Sequence, residues 1–161
     1  MKRTAQRNPL ASMLGPLALL FLASGAVAED AAQPIEAVVY KSPSCGCCSK
    51  WVEHLEENGF QVETVESSDM NAVKKRLGVP IGLASCHTAL VEDTYVVEGH
   101  VPAEDIRRLF ESGAEAKGLA VPGMPGGSPG MESAPATPYE VILFDAEGNT
   151  EVYAEHGDNA R

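Results

Sequence analysis

Apolar and polar positions alternate along the chain in short blocks whose period changes repeatedly from that of a strand to that of a helix. The run EAVVY (36–40) is compact and β-branched and ends at Ser42-Pro43, the pattern of a buried strand entering a loop. Cys48, Trp51, Val52 and Leu55 then fall at i, i+3, i+4 and i+7, an apolar helical stripe that ends near Asn58-Gly59. FQVETVE (60–66) predicts a second strand. SSDMNAVKKRLG follows as a capped helix with Met70, Val73 and Leu77 on one face and Gly78 at its end. Two β-rich runs, Thr88–Val91 and Thr94–Val97, surround Glu92-Asp93 as a hairpin. VPAEDIRRLFESG predicts a helix with Pro102 at its first position, Glu104 and Asp105 in its first turn and Gly113 at its close.

Strand, helix, strand, helix, hairpin, helix is the order of an α/β, thioredoxin-like domain, a mixed sheet with flanking helices on both faces. Beyond it, ten of the 21 residues from Gly118 to Pro138 are Gly or Pro, so this stretch reads as one long loop without a regular element. YEVILFD and TEVYA then read as a C-terminal hairpin.

The first 28 residues stand apart. Lys2, Arg3 and Arg7 precede an apolar run from Leu10 to about Ala23, and Ala26-Val27-Ala28 offers a small-residue cleavage site, the three parts of an export signal. With no twin-arginine pair and no cysteine after the apolar run, the expectation is a cleaved signal peptide, 1–28, and a soluble periplasmic domain, 29–161. The whole chain carries a formal charge of −11; without the three leading cations nine basic residues face 23 acidic ones, or −14. That balance argues against nucleic acid or, once the signal is cleaved, an anionic membrane as partner, and is compatible with a cation.

The chemistry concentrates in SCGCCSKW. Cys45, Cys47 and Cys48 occupy three of four positions at the first strand-to-helix junction, and the fourth cysteine, Cys86, stands beside His87. A helix N-terminus lowers thiol pKa values and favours thiolate, which is both nucleophile and metal ligand. In an oxidoreductase Cys45 would attack a substrate disulfide and Cys48 would resolve the intermediate. In a soft-metal site the sulfurs would converge on Cu(I), or on Zn(II) with help from histidine. Cys47 separates the two readings: a redox pair gains nothing from a third thiol between its members, whereas a metal site gains a ligand. A purely structural use of the four cysteines is awkward, because three so close together cannot staple distant parts of the chain, and a Cys86 bridge would strand two thiols.

The segments SPSCGCCSKWVEHL, LGVPIGLASCHTALV, YVVEGHVPAEDIRRLF and GLAVPGMPGGSPGME resemble, in order, the successive signatures of a small exported metal-binding family, a domain of unknown function related to the copper-resistance protein CopG. The resemblance spans roughly Val38 to Tyr153. It implies a thioredoxin-like fold, copper binding through the Cys-x-Cys-Cys element and the distant cysteine, and a role in periplasmic copper handling alongside other copper-handling proteins. It also implies that His87 stands where thioredoxin-like folds carry a cis-proline that shields the thiols from metal. The expected ligands are therefore Cys45, Cys47, Cys48 and Cys86, with His87 next. Facing thiolates repel unless several cations share them, so the expected centre is a polynuclear, sulfur-bridged Cu(I) cluster, with zinc the less favoured metal.

Met124 and Met131 lie in the Gly/Pro-rich loop rather than on an apolar stripe, and a loop of this length can fold over the cluster and offer thioether ligands. Trp51 is expected to pack beside Cys48, and His54 to face solvent. His100, just ahead of a helix, is a candidate supporting or direct ligand. His156 falls in a polar tail with no assigned role.

Overall fold

The computed structural model describes residues 33–157; the expected signal segment, 1–28, lies outside the described residues. Seven strands and three α-helices follow in the order β1 (Ile35–Lys41), α1 (Gly46–Glu57), β2 (Phe60–Glu66), α2 (Met70–Leu77), β3 (Thr88–Val91), β4 (Tyr95–Glu98), α3 (Ala103–Ser112), β5 (Gly118–Ala120), β6 (Tyr139–Phe144) and β7 (Thr150–His156), with a 3-10 turn at Ile81–Leu83. The strands make one mixed sheet ordered β2-β1-β3-β4-β5-β6-β7. β1 is parallel to β2, and β4 to β5; the other neighbours are antiparallel.

Successive strand residues point to opposite faces, and the two apolar clusters divide accordingly. Val97 packs with Trp51 and Leu55 of α1 and Ile106 and Leu109 of α3, whereas its neighbour Val96 packs with Val79, Ala120 and Phe144, beside Leu77 of α2. Helices therefore cover both faces, as the periodicities predict. The stripe of α1 is buried at Cys48, Trp51 and Leu55. α2 begins where Asp69 accepts a hydrogen bond from the Ala72 amide (3.0 Å) and ends on Gly78 in the left-handed conformation.

Two sequence expectations need correction. The Gly/Pro-rich stretch does not begin as a loop: Gly118–Ala120 forms β5, and a Cβ at Gly118 would lie 1.7 Å from the Val96 carbonyl oxygen, so the missing side chain is what lets the strand approach β4. Pro102 is the N-cap of α3, and the first helical residue is Ala103. Among the described residues no peptide bond is cis, so His87 sits on an ordinary trans backbone.

Candidate metal centre

The sheet order builds the site. β1 lies between β2 and β3, so its C-terminal end abuts the start of β3. The chain leaves β1 through a tight turn, closed by the Cys45 amide donating to the Ser42 carbonyl (3.1 Å), and enters α1 with Cys45 as N-cap. Across the sheet, β3 and β4 pair with Thr88 opposite Glu98, and the Gly99 amide donates to the His87 carbonyl (3.0 Å). Carrying that register past the ladder sets Cys86 against His100. A hairpin thus delivers a sulfur and two imidazoles to the mouth of α1.

One sulfur from each of Cys45, Cys47, Cys48 and Cys86 lies within 4.8 Å of the others, and Cys86, His87 and His100 form a second such group. Cys86 belongs to both. Its Sγ is 3.2 Å from His87 Nδ1 and 3.2 Å from His100 Nε2. Four sulfurs and two imidazoles converge, a donor set suited to Cu(I) or Zn(II).

The structure holds the cluster in a partly oxidised state: Cys45 and Cys48 are joined by a disulfide, and Cys47 and Cys86 are free thiols. A bridge involving Cys86, the alternative weighed from the sequence, is not the one formed. Cys47 Sγ lies 3.5 Å from Cys45 Sγ, within reach of the bonded pair. Reduction of one bond is what makes all four sulfurs available at once.

Burial pushes the Cys86 thiol up to about 11, and neighbouring Cys47 adds to the rise. The helix-terminus argument for thiolate does not extend to this sulfur, which keeps its proton until a cation displaces it. Burial lowers His87 well below its ordinary value, with neighbouring His100 and Lys74 opposing its charge further. Burial lowers His100 as well, against a carbonyl contact that raises it. Both rings are neutral at pH 7. A carbonyl only accepts, so His100 Nδ1 carries the proton it donates to Pro129 (2.7 Å). That leaves its Nε2 lone pair facing Cys86, the tautomer a metal ligand requires.

His87 is completely buried, its ring 4.3 Å from that of Trp51 and 4.9 Å from that of His100, and its Nε2 has no hydrogen-bond partner. Trp51 is also fully buried and donates from Nε1 to the Val101 carbonyl (2.8 Å), which holds its ring against His87. The Gly/Pro-rich loop does close over the cluster. A Cβ at Gly130 would lie 2.7 Å from the Cys47 carbonyl oxygen and 3.0 Å from the Trp51 nitrogen, so only glycine fits against the first turn of α1 there. Within this loop Met131 is half-buried and Met124 is 53% exposed.

Two other histidines depart from expectation. His54 is not solvent-facing; its Nε2 accepts from the Ala103 amide (3.0 Å), satisfying a free donor at the start of α3. His156 belongs to β7, and its Nε2 lies 2.6 Å from Asp105 Oδ2, tying the C-terminal hairpin to α3. His100 is the ligand candidate that sequence reasoning left off its leading set; the signal was its place opposite Cys86, legible only once β3 and β4 are paired.

Comparison with known proteins accords with this geometry. A family model described as "Protein of unknown function, DUF411" matches residues 83–131, the stretch from before Cys86 to Met131. Two solved structures are similar. One, "Copper resistance protein copG- Form 2", is 47% identical, covers 77% of this chain and 99% of its own, and superimposes with a TM-score of 0.72. The other, "Copper resistance protein copG- Form 1", is 48% identical over 76% of this chain and 98% of its own, with a TM-score of 0.71. No curated protein matches.

Proposed function

We infer the function of this chain from the premise that it belongs to the DUF411 family, the family of the copper resistance protein CopG. The reading is a periplasmic, thioredoxin-like copper-binding protein of copper resistance, exported by a cleaved signal peptide. Cys45, Cys47, Cys48 and Cys86 hold Cu(I), with His87 and His100 flanking Cys86. The single observation that carries it is that two donor groups, one of four sulfurs and one of a sulfur with two imidazoles, meet at Cys86. Sulfur donors select Cu(I), and the named relatives favour copper over zinc. Cys86, shared between two donor groups, is placed to bridge ions in a polynuclear cluster. Met124 and Met131 sit on the covering loop as auxiliary thioethers. Copper ions, and periplasmic proteins that give or take them, are the proposed partners.

The disulfide state gates this chemistry. With Cys45 and Cys48 bonded to each other, two of the four sulfurs have no thiolate to offer. Their closure supports a second reading, a thiol–disulfide oxidoreductase, in which Cys45 and Cys48 are the working pair. The two readings separate in one experiment. The mature protein is titrated anaerobically with Cu(I) in its reduced and disulfide forms, beside a variant with all four cysteines replaced by serine. The copper reading expects tight binding and sulfur-to-copper absorption from the reduced form, and a lower stoichiometry from the disulfide form. Equal affinity in the reduced and all-serine proteins defeats it.

A further inference from the structure

Behind the thiol cluster lies a second polar constellation, one that the metal reading does not use. Glu98, the last residue of β4, is completely buried and its carboxylate takes three hydrogen bonds. Oε1 accepts from Lys74 Nζ of α2 (2.5 Å) and from the Ser85 amide (2.5 Å); Oε2 accepts from Thr88 Oγ1 (2.6 Å), which itself accepts from Lys74 (3.0 Å). Lys74 is only 8% exposed.

A buried ion pair is a weak device for stability. Desolvation of the two ions consumes much of their attraction, and apolar replacements of similar volume are often neutral or stabilising. What an apolar pair cannot do is accept the Ser85 N–H, in an irregular segment where no strand partner is at hand. Ser85 directly precedes Cys86, and Glu98 is followed by Gly99 and His100. The carboxylate therefore ties together both rails of the hairpin mouth, one carrying the Cys86 sulfur and the other the His100 imidazole. Little slack remains: a Cβ at Gly99 would lie 2.7 Å from the Ser85 Cβ. The Ser85 hydroxyl in turn donates to the Gly123 carbonyl of the covering loop.

We propose that Glu98, held by Lys74 and Thr88, is a positioning residue that fixes the Cys86 sulfur against Cys47 and His100 by anchoring the Ser85 amide. Its consequence for copper rests on the function proposed above; the positioning itself does not. Sites of this kind need their donors held to about 0.5 Å, and losing an outer-shell anchor typically costs about 10–100-fold in metal affinity.

Two double variants decide the matter, because both remove the ion pair and only one keeps an acceptor for Ser85. K74M/E98Q retains a carbonyl oxygen at the position of Oε1, whereas K74M/E98L does not. Two quantities are read for each, next to the parent protein. The first is Cu(I) affinity of the reduced protein, by competition with a chromogenic Cu(I) chelator. The second needs no metal: the rate at which diamide closes a Cys47–Cys86 disulfide in proteins carrying C45S and C48S. The expected result is a fall of about 10–100-fold in affinity and at least about tenfold in closure rate for K74M/E98L, with K74M/E98Q close to the parent in both. A purely structural ion pair predicts that the two variants behave alike, and that outcome overturns the proposal. Should K74M/E98L fail to fold, the parent still decides: its Ser85 amide must be strongly protected from hydrogen exchange, and exchange at the rate of an open loop refutes the anchor. If the parent binds no Cu(I), the copper reading fails while closure rates continue to report on positioning.

Discussion

Acidification should destabilise the metal-free protein through a histidine that the fold keeps neutral. His87 is fully buried between Trp51 and His100, and burial lowers its proton affinity far below that of an exposed imidazole. In the unfolded chain the same ring titrates normally, near pH 6.5. As pH falls below that value the unfolded state takes up a proton that the folded state refuses, so stability is full above about pH 6.5 and drains away below it. One proton refused changes stability by about 1.4 kcal/mol per pH unit once the unfolded ring is protonated, which integrates to about 2 kcal/mol between pH 7 and pH 5. Since domains of this size hold about 5–15 kcal/mol in all, the loss is readily measured. Urea unfolding of the disulfide form, followed by Trp51 fluorescence at half-unit steps from pH 7.5 to 5, gives the slope. The comparison is His87→Phe, which keeps a ring against Trp51 and removes both the titration and the partnerless Nε2. Its stability should fall less steeply, by about 1.4 kcal/mol per unit around pH 5.5. Parallel slopes in the two proteins would refute the premise that the buried ring is held neutral.

Other outcomes follow from the same structure. Cys47→Ser should lower Cu(I) stoichiometry in anaerobic titration while leaving Cys45–Cys48 disulfide exchange intact, because the bonded pair does not include it. Gly130→Ala forces a side chain to φ +84° and against the Cys47 carbonyl, costing at least about 1–2 kcal/mol of loop docking. Limited proteolysis within 122–138 should then accelerate about tenfold, and unchanged cleavage would show that the loop does not rest on α1. Asp105→Asn weakens a buried carboxylate that accepts from Arg108 (2.9 Å) and His156 (2.6 Å). Chemical unfolding should register a loss of about 1.5–3 kcal/mol, with little change in Cu(I) affinity.

The sequence by itself determined what local periodicity and residue chemistry control. The Cys48-Trp51-Leu55 stripe, the Asp69 cap, the glycine ends and the alternating runs each report on a few neighbouring residues, so the three helices and six of the seven strands were legible without coordinates. The seventh, Gly118–Ala120, was not. Its glycine reads as a loop residue, and only the approach to the Val96 backbone makes it a strand. The candidate donors were legible too, since three cysteines in four positions have few uses. Tertiary structure alone decided which of these groups meet. The sequence announced the β3–β4 hairpin, but the opposition of Cys86 and His100 depends on its register, Val91 opposite Tyr95, which only the paired backbone fixes. His54, read as solvated, became a cap because α3 happens to begin beside it. Nothing in the sequence singled out Lys74 or Glu98, and their burial arises only when the fold brings α2 to the end of β4 as an ion pair. Local sequence sets the options of each segment, whereas long-range contacts, which no short window contains, choose among them.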